Sequence, residues 1–389
     1  MKLLRKASKI HITDLLSLFI LLLAYPIGKI IKLVYNDVWL ISERPNDARD
    51  NGYHLFKYLR ENHSNRKVYY AINTMSSDYE KVKSYKNIIE FSSFKHYIYY
   101  FAASKNISTQ IGSGEPNDKL CLNLEILGIV RNKKIFLQHG IIKDVINFAL
   151  YKNCKVQLFI CGAKPEFDFV SENFGYPEGS VKYLGLCRFD SLQSFKNNKR
   201  QILLMPTWRQ WLNNIDEKFI ESNFFEKYSE LINNRALIKF LAEHEITLFF
   251  YLHDNLQKYS SLFQSTSEYI KIAHKANYDI QTLIKESALL VTDYSSVFFD
   301  FAYMRKPTIY YQFDIAEYRK GHYKEGYFVY EKDSFGPICY DCDQFVIELT
   351  KLYENKFNLS EIYLQKIDLY FPLYDSENCK RTFEAIDKL

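Results

Sequence analysis

Four apolar segments of this chain run directly into residues that can bind or activate a phosphate. Ile135–Leu137 leads into Gln138-His139-Gly140, and Ile202 onward into Pro206-Thr207-Trp208-Arg209. The segment from Thr247 closes on Tyr251-Leu252-His253, and Val291-Thr292 is followed by Asp293-Tyr294-Ser295-Ser296. A neutral imidazole titrates near the working pH of a general base, which suits His139. The glycine after it lets a ligand approach the main chain closely. His253 can donate to a phosphate and offset charge on a leaving group, although a histidine at a strand end also serves structure alone. Arg209 offers a planar fork matched to phosphate oxygens. Ser295-Ser296 stand between an apolar strand and the apolar helix that begins Val297-Phe298-Phe299. A serine there caps the helix, and the first-turn N–H groups with the helix dipole form an anion site suited to a diphosphate. The other reading is a cap with no ligand. Asp300, one helical turn beyond Ser296, either reaches the same end of the helix or is a surface acid. Asp279 reads as the cap of a helix from Ile280.

Other chemistries lack their signatures. Gly112-Ser113-Gly114 is a lone G-x-G without the rest of a dinucleotide fingerprint and reads as a loop. The chain has no P-loop lysine motif and no G-x-S-x-G elbow, and its histidines show no metal-ligand spacing. Metal-independent chemistry is the expectation. Cys339 and Cys342 form one C-x-x-C without a second pair for zinc and read as loop cysteines.

The elements that must position these residues alternate. Strands are predicted at Val38–Ser42, Val68–Ile72, Asn87–Phe91, Ile107–Ile111, Lys134–Gln138, Val156–Cys161 and Val181–Leu184, with helices such as Gly52–Asn62 and Phe94–Ser104 between them. After a breaker-like segment at Asp190–Arg200 the pattern restarts. Strands follow at Ile202–Pro206, Thr247–Leu252, Tyr269–Ile272, Ala288–Thr292 and Thr308–Gln312, with helices at Asn223–His244, Ile280–Ser287, Ser296–Met304 and Cys342–Glu354. Such alternation predicts two doubly wound α/β domains with parallel sheets, whose ligands bind beyond the carboxyl ends of the strands. The organisation is a membrane-associating segment over 1–36, an acceptor-side domain over 37–190, a nucleotide-binding domain over 200–375, and a C-terminal helix over 376–389 packing back on the first domain.

At 389 residues the chain is long enough for two such cores, and 47% apolar against 25% charged residues is a globular balance. The net charge of +5 is local. The first 35 residues hold six of the 51 basic side chains and one of the 46 acidic ones, so the remainder is neutral. A nucleic-acid partner would need a basic stripe along the body, and none is visible. The seven scattered cysteines fit a reducing compartment. Leu15–Tyr25 is almost wholly apolar, Pro26 and Gly28 interrupt it, and Ile27–Val34 continues with Lys29 and Lys32 embedded. A spanning helix breaks too early here. No small-x-small cleavage site follows, as a signal peptide requires. A monotopic anchor, with lysines and Arg5 near anionic headgroups, is the favoured reading, and a buried helix of the first domain is its rival.

Taken together these segments resemble the CDP-glycerol glycerophosphotransferase family, which makes teichoic acids and related capsule polymers. The strongest match is Leu290-Val291-Thr292-Asp293-Tyr294-Ser295-Ser296-Val297-Phe298-Phe299-Asp300, followed by Lys306-Pro307. Pro206-Thr207-Trp208-Arg209, His139-Gly140, Gly326-Tyr327-Phe328 and Phe335-Gly336-Pro337 support it over roughly residues 130–350, as does Ile41-Ser42-Glu43-Arg44-Pro45. The resemblance implies a GT-B fold, two Rossmann-like domains facing a cleft with the nucleotide held mainly by the second. It implies that His139 is the base, that His253 is a second essential histidine, and that Gly140, Arg188, Thr207, Arg209, Ser295, Ser296 and Asp300 serve the CDP-activated donor. No cofactor is implied. The partners are a lipid-linked polymer acceptor and an anionic membrane surface, at the cytoplasmic face of the cell membrane. Gln138, Ile141-Ile142 and Asp254 depart from the Trp, Thr-Pro and Pro that the family often carries there. A GT-B glycosyltransferase using a nucleotide sugar, and a non-catalytic scaffold of a polymer-export complex, are the alternatives.

Overall fold

The computed structural model describes residues 12–112, 114–193, 198–213, 215–321 and 324–389. Residues 1–11, with Lys2, Arg5, Lys6 and Lys9, lie outside the described residues, as does Ser113 of the G-x-G run.

Thirteen strands form two sheets among the described residues. β1 (Val38–Ser42), β2 (Lys67–Ile72), β3 (Ile88–Glu90), β4 (Lys105–Ser108), β5 (Lys133–Phe136), β6 (Leu158–Cys161) and β7 (Val181–Tyr183) assemble in the order β3-β2-β1-β4-β5-β6-β7. β8 (Asn198–Leu204), β9 (Thr247–Tyr251), β10 (Ile270–Ala273), β11 (Ser287–Thr292), β12 (Thr308–Tyr311) and β13 (Ile338–Cys339) assemble as β10-β9-β8-β11-β12-β13. Every neighbouring pair is parallel. Parallel strands need both faces covered, which is why β1, β6, β11 and β12 are buried at every position. Strand order reverses at β1/β4 in the first sheet and at β8/β11 in the second. Crevices at such reversals are where doubly wound sheets hold ligands.

The C-terminal helix Asn378–Asp387 returns to the first sheet, where Cys379, Phe383 and Ile386 join the cluster of Trp39, Ile41, Leu55 and Phe56. Further ties cross between the sheets. Lys81 reaches Asp279 at 2.9 Å, Arg44 reaches Asp254 at 3.2 Å, and Val145 pairs with Lys324 in an antiparallel bridge.

Several sequence-based expectations need correction. The N-terminal helix does not break at Pro26. It runs without interruption over Ile12–Val34, long and apolar enough over Ser17–Val34 to cross a membrane by length and composition. Proline costs it one hydrogen bond, and Gly28 makes the close crossing possible: a Cβ there would meet Phe101 Cβ at 2.5 Å and the Ile98 carbonyl at 2.6 Å. Leu21, Ala24 and Gly28, at helical spacing, face the helix Phe94–Ala102, while Phe19, Leu22, Ile30 and Leu33 stand exposed. The helix expected over Asn223–His244 is two, Asn223–Ile232 and Arg235–Glu243, because Asn234 caps the second with its side chain. Cys339 ends β13 and Cys342 begins the helix Cys342–Glu354, so neither is a loop cysteine; all seven cysteines are buried free thiols.

Candidate active site

His139 follows a tight turn after β5. Gln138 adopts φ +63°, a left-handed conformation that reverses the chain, and its side-chain amide donates to the Ile160 carbonyl at 2.5 Å. Asn51 donates to the carbonyls of Leu137 and Gln138 at 3.3 and 2.8 Å and accepts the amide of Arg188 at 3.0 Å. Beyond the turn, the buried carboxyl of Glu166 accepts the N–H groups of Ile142 and Gly162. The backbone around His139 is therefore fixed from both sides while its ring stays exposed, at 59% of the side chain.

Asp50 orients that ring. Its Oδ2 lies 2.7 Å from Nδ1 of His139, and its Oδ1 accepts from Arg188 at 3.1 Å. Burial works to raise the Asp50 pKa, but the bond to His139 and the charges of His139 and Arg188 outweigh it and hold the carboxyl below its usual value. An ionised partner on Nδ1 makes that nitrogen the donor and leaves Nε2 as the proton acceptor. Glu43, fully buried, supports Asp50 from beneath by accepting the amides of Arg49, Asp50 and Tyr53. Burial and the neighbouring Asp50 push its own carboxyl up to about 8.

Arg188 continues the chain of contacts into the second domain. It sits in the 3₁₀ turn Cys187–Ser191 and donates through Nε and Nη2 to Asp300, at 3.1 and 2.8 Å. His139, Asp50, Arg188 and Asp300 thus form one connected series from the first sheet to the helix after β11. Asp300 is not a surface acid or a free contact for an anion; it is the buried counterion of Arg188. Arg188 in turn, with Asp50, Asp300 and the His139 carbonyl as acceptors, is fully engaged.

The serine turn differs in detail from a simple cap. The helix is Phe298–Tyr303, and its N-cap is Val297 with no side-chain cap bond. Ser295 Oγ accepts the Val297 amide at 3.5 Å, and the serines precede the helix on a turn, where among the described residues their own amides make no hydrogen bond. Opposite them, a Cβ on Gly140 would meet Ser296 Oγ at 2.8 Å. The His139-Gly140 turn and the serine pair therefore meet across one cleft of about 460 Å³, a volume suited to a nucleotide-sized ligand. Its walls also carry Thr207, whose buried hydroxyl has no partner among the described residues, together with Trp208 and His253, whose rings stack at 6.2 Å. Of the residues singled out in the sequence, His139, Gly140, Arg188, Thr207, His253, Ser295, Ser296 and Asp300 line this cleft.

Arg209 does not. Fully buried, it donates to Asp314 at 2.8 Å through Nε, to Asp293 at 2.8 Å through Nη2, and to the Thr207 carbonyl at 2.6 Å through Nη1. Asp293 also receives the amides of Thr207 and Tyr294, and Asp314 receives the Tyr294 hydroxyl. The expected phosphate fork is instead the tie that holds the Thr207 loop to the serine turn. Asp50 and Asn51 escaped the sequence reading because nothing in their local pattern marks them beyond their place just ahead of the helix predicted from Gly52, and Glu43 entered it only within Ile41-Ser42-Glu43-Arg44-Pro45, with no role of its own. Arg209→Met leaves two buried carboxylates without their counterion, and a loss of about 3–5 kcal/mol is expected in unfolding experiments. Unchanged stability together with lost donor affinity would return Arg209 to the ligand site.

The profile of the family described as CDP-glycerol:poly(glycerophosphate) glycerophosphotransferase matches residues 23–153 and 168–388. The chain is 32% identical over 364 residues to the minor teichoic acid biosynthesis protein GgaB of Bacillus subtilis (strain 168), covering 90% of this chain and 40% of that protein. It is 29% identical over 193 residues to a teichoic acid poly(glycerol phosphate) polymerase of Bacillus spizizenii, covering 49% of this chain and 45% of that one. The chain therefore spans less than half the length of either relative. Among solved structures, the wall teichoic acid polymerase TagF superposes with a TM-score of 0.65 at 18% identity, covering 96% of both chains, which establishes the GT-B-like fold. With nearly the whole sequence inside the family profile, the chain belongs to the CDP-glycerol:poly(glycerophosphate) glycerophosphotransferase family.

Proposed function

We propose that this chain transfers glycerol phosphate, or a related polyol phosphate, from a CDP-activated donor to a hydroxyl of a membrane-linked polymer acceptor and releases CMP. Family membership supports the reaction class. The observation that carries the mechanism is the meeting of the Asp50-oriented His139 turn with the Ser295-Ser296 turn across the cleft. In the proposed step the acceptor hydroxyl gives its proton to Nε2 of His139 while its oxygen attacks the β-phosphorus. The bond from that phosphorus to the bridging oxygen breaks, and the oxygen leaves with CMP. The serine amides and hydroxyls hold the diphosphate, Thr207 donates from the β8 loop, and His253 offsets charge developing on the leaving phosphate. Positioning and fixed dipoles supply most of the rate. A nucleotide-sugar glycosyltransferase would use the same fold, but the family match favours phosphoryl transfer.

The exposed apolar face of Ile12–Val34, carrying Phe19, Leu22, Ile30 and Leu33 with Lys29 beside it, supports docking on an anionic bilayer. The cytoplasmic face is the side where a nucleotide-activated donor is available. Leu22→Glu with Ile30→Glu should reduce co-flotation with anionic vesicles and leave donor binding intact; unchanged flotation removes this helix from the membrane contact.

Base and anion site separate in kinetics. His139→Ala should abolish CMP release with CDP-glycerol affinity largely kept, and Asp50→Asn should lower kcat by about a hundredfold or more with little change in KM. Ser295→Ala with Ser296→Ala should instead weaken CDP-glycerol binding by about 1 kcal/mol per lost bond. Near-normal turnover in His139→Ala would remove the base, and CMP release from other nucleotide donors only would remove the CDP-polyol assignment.

A further inference from the structure

A diphosphate diester carries two negative charges into this cleft, and the first domain's main arginine cannot balance them. Arg188 supplies one positive charge to two buried carboxylates, Asp50 and Asp300. Arg209 is enclosed with Asp293 and Asp314. Arg44 and Arg49, at the cleft margin, pair with Asp254 and with Asp78. Among the described residues, the opposite imbalance exists on the wall at Lys143. Lys143, four residues after His139, and Arg319 share the single buried carboxylate of Asp144, with Arg319 bonded to it at 3.0 Å. The second partner of Arg319, Glu325, is 58% exposed and so largely screened.

The Lys143 side chain is only 6% exposed yet lines the cleft, with its ammonium 5.6 Å from the centroid of the Tyr330 ring. Tyr330 packs edge-on against Tyr294, the residue before Ser295. The second domain also fixes the lysine's backbone. Val145 pairs with Lys324, and Gly326 approaches the Lys143 carbonyl so closely that a Cβ there would lie 2.1 Å from it. Lys143 is thus held by the second domain on the wall of the cleft that the serine turn also lines.

We propose that Lys143 is the cation that neutralises the donor diphosphate, with Asp144, itself anchored by Arg319, holding its ammonium in place until an anion enters. This inference rests on the CDP-donor reading above. Burial, with the charge of Arg319, lowers the Lys143 pKa by more than Asp144, its hydrogen bond and the charge of Asp293 restore, in keeping with an ammonium that shares its carboxylate with a second cation. An entering phosphate oxygen relieves that deficit. Serine hydroxyls and amides orient the diphosphate but bring no formal charge, which leaves this role open for a lysine.

Calorimetric binding to unreactive His139→Ala protein tests it. Lys143→Met in that background should weaken CDP-glycerol by about tenfold or more while uncharged cytidine binds as before, and Lys143→Arg should recover most of the lost affinity. CDP-glycerol binding within twofold of the parent, or equal loss for CDP-glycerol and cytidine, overturns the inference. With His139 intact, a rise in acceptor KM for Lys143→Met without any change in donor affinity also overturns it, because the lysine would then serve the acceptor's phosphate. Should Lys143→Met fail to fold, amine labelling of the unsubstituted chain decides: CDP-glycerol must protect Lys143 and cytidine must not, and equal labelling overturns the proposal. Absence of CDP-glycerol binding by the parent overturns the donor reading itself, whereas binding indifferent to Lys143 overturns this inference alone.

Discussion

The two carboxylates held by Arg188 are the constraint on which the site depends. Asp50 belongs to the start of a helix in the first domain and Asp300 to the helix after β11 in the second, while Arg188 lies in the turn that leads from one domain to the other. None of the three is solvated enough to tolerate loss of its partner, since breaking a buried pair leaves an uncompensated charge. The same contacts set the chemistry. Asp50 has one oxygen on Arg188 and the other on His139, so the orientation and tautomer of the imidazole follow from how the domains are joined. Any motion separating the domains must act on Asp300, and through Arg188 and Asp50 on the ring.

A second buried network performs the matching task on the other side of the cleft. Arg209, Asp293 and Asp314 join the loop after β8 to the turn after β11, the two segments flanking the reversal in strand order. Thr207 and Ser295 face ligand space because the charged groups beside them face inward. The arginines thus serve as framework, and in the proposed function ligand contact passes to hydroxyls, main-chain amides, histidines and a lysine. A preorganised site of this kind suits a reaction whose catalysis is mainly positioning and electrostatics.

Much of this was legible in the sequence because strand–helix alternation carries its own ligand rule. Short apolar runs marked the ends of β5, β8, β9 and β11, and four of the segments that follow them meet in one cleft. What the sequence concealed is tertiary. An arginine at a strand end looks the same whether its fork faces a phosphate or two aspartates 84 and 105 residues away. Asp50 precedes His139 by 89 residues, and only the folded chain puts them together. Pro26 misled for a related reason: a proline ends a helix when nothing else supports it, but here the helix Phe94–Ala102 packs along its length and Gly28 admits the contact. Lys143 showed no pattern at all, because charge imbalance is a property of neighbours rather than of spacing.

A structure of the His139→Ala chain with CDP-glycerol bound tests the central claim most directly. The account predicts the diphosphate between the Ser295-Ser296 turn and the residue 139 turn, with the β-phosphorus facing the space the imidazole vacates and the cytidine on the second domain. A diphosphate seated away from the serine turn, or with its β-phosphorus turned from residue 139, would contradict it.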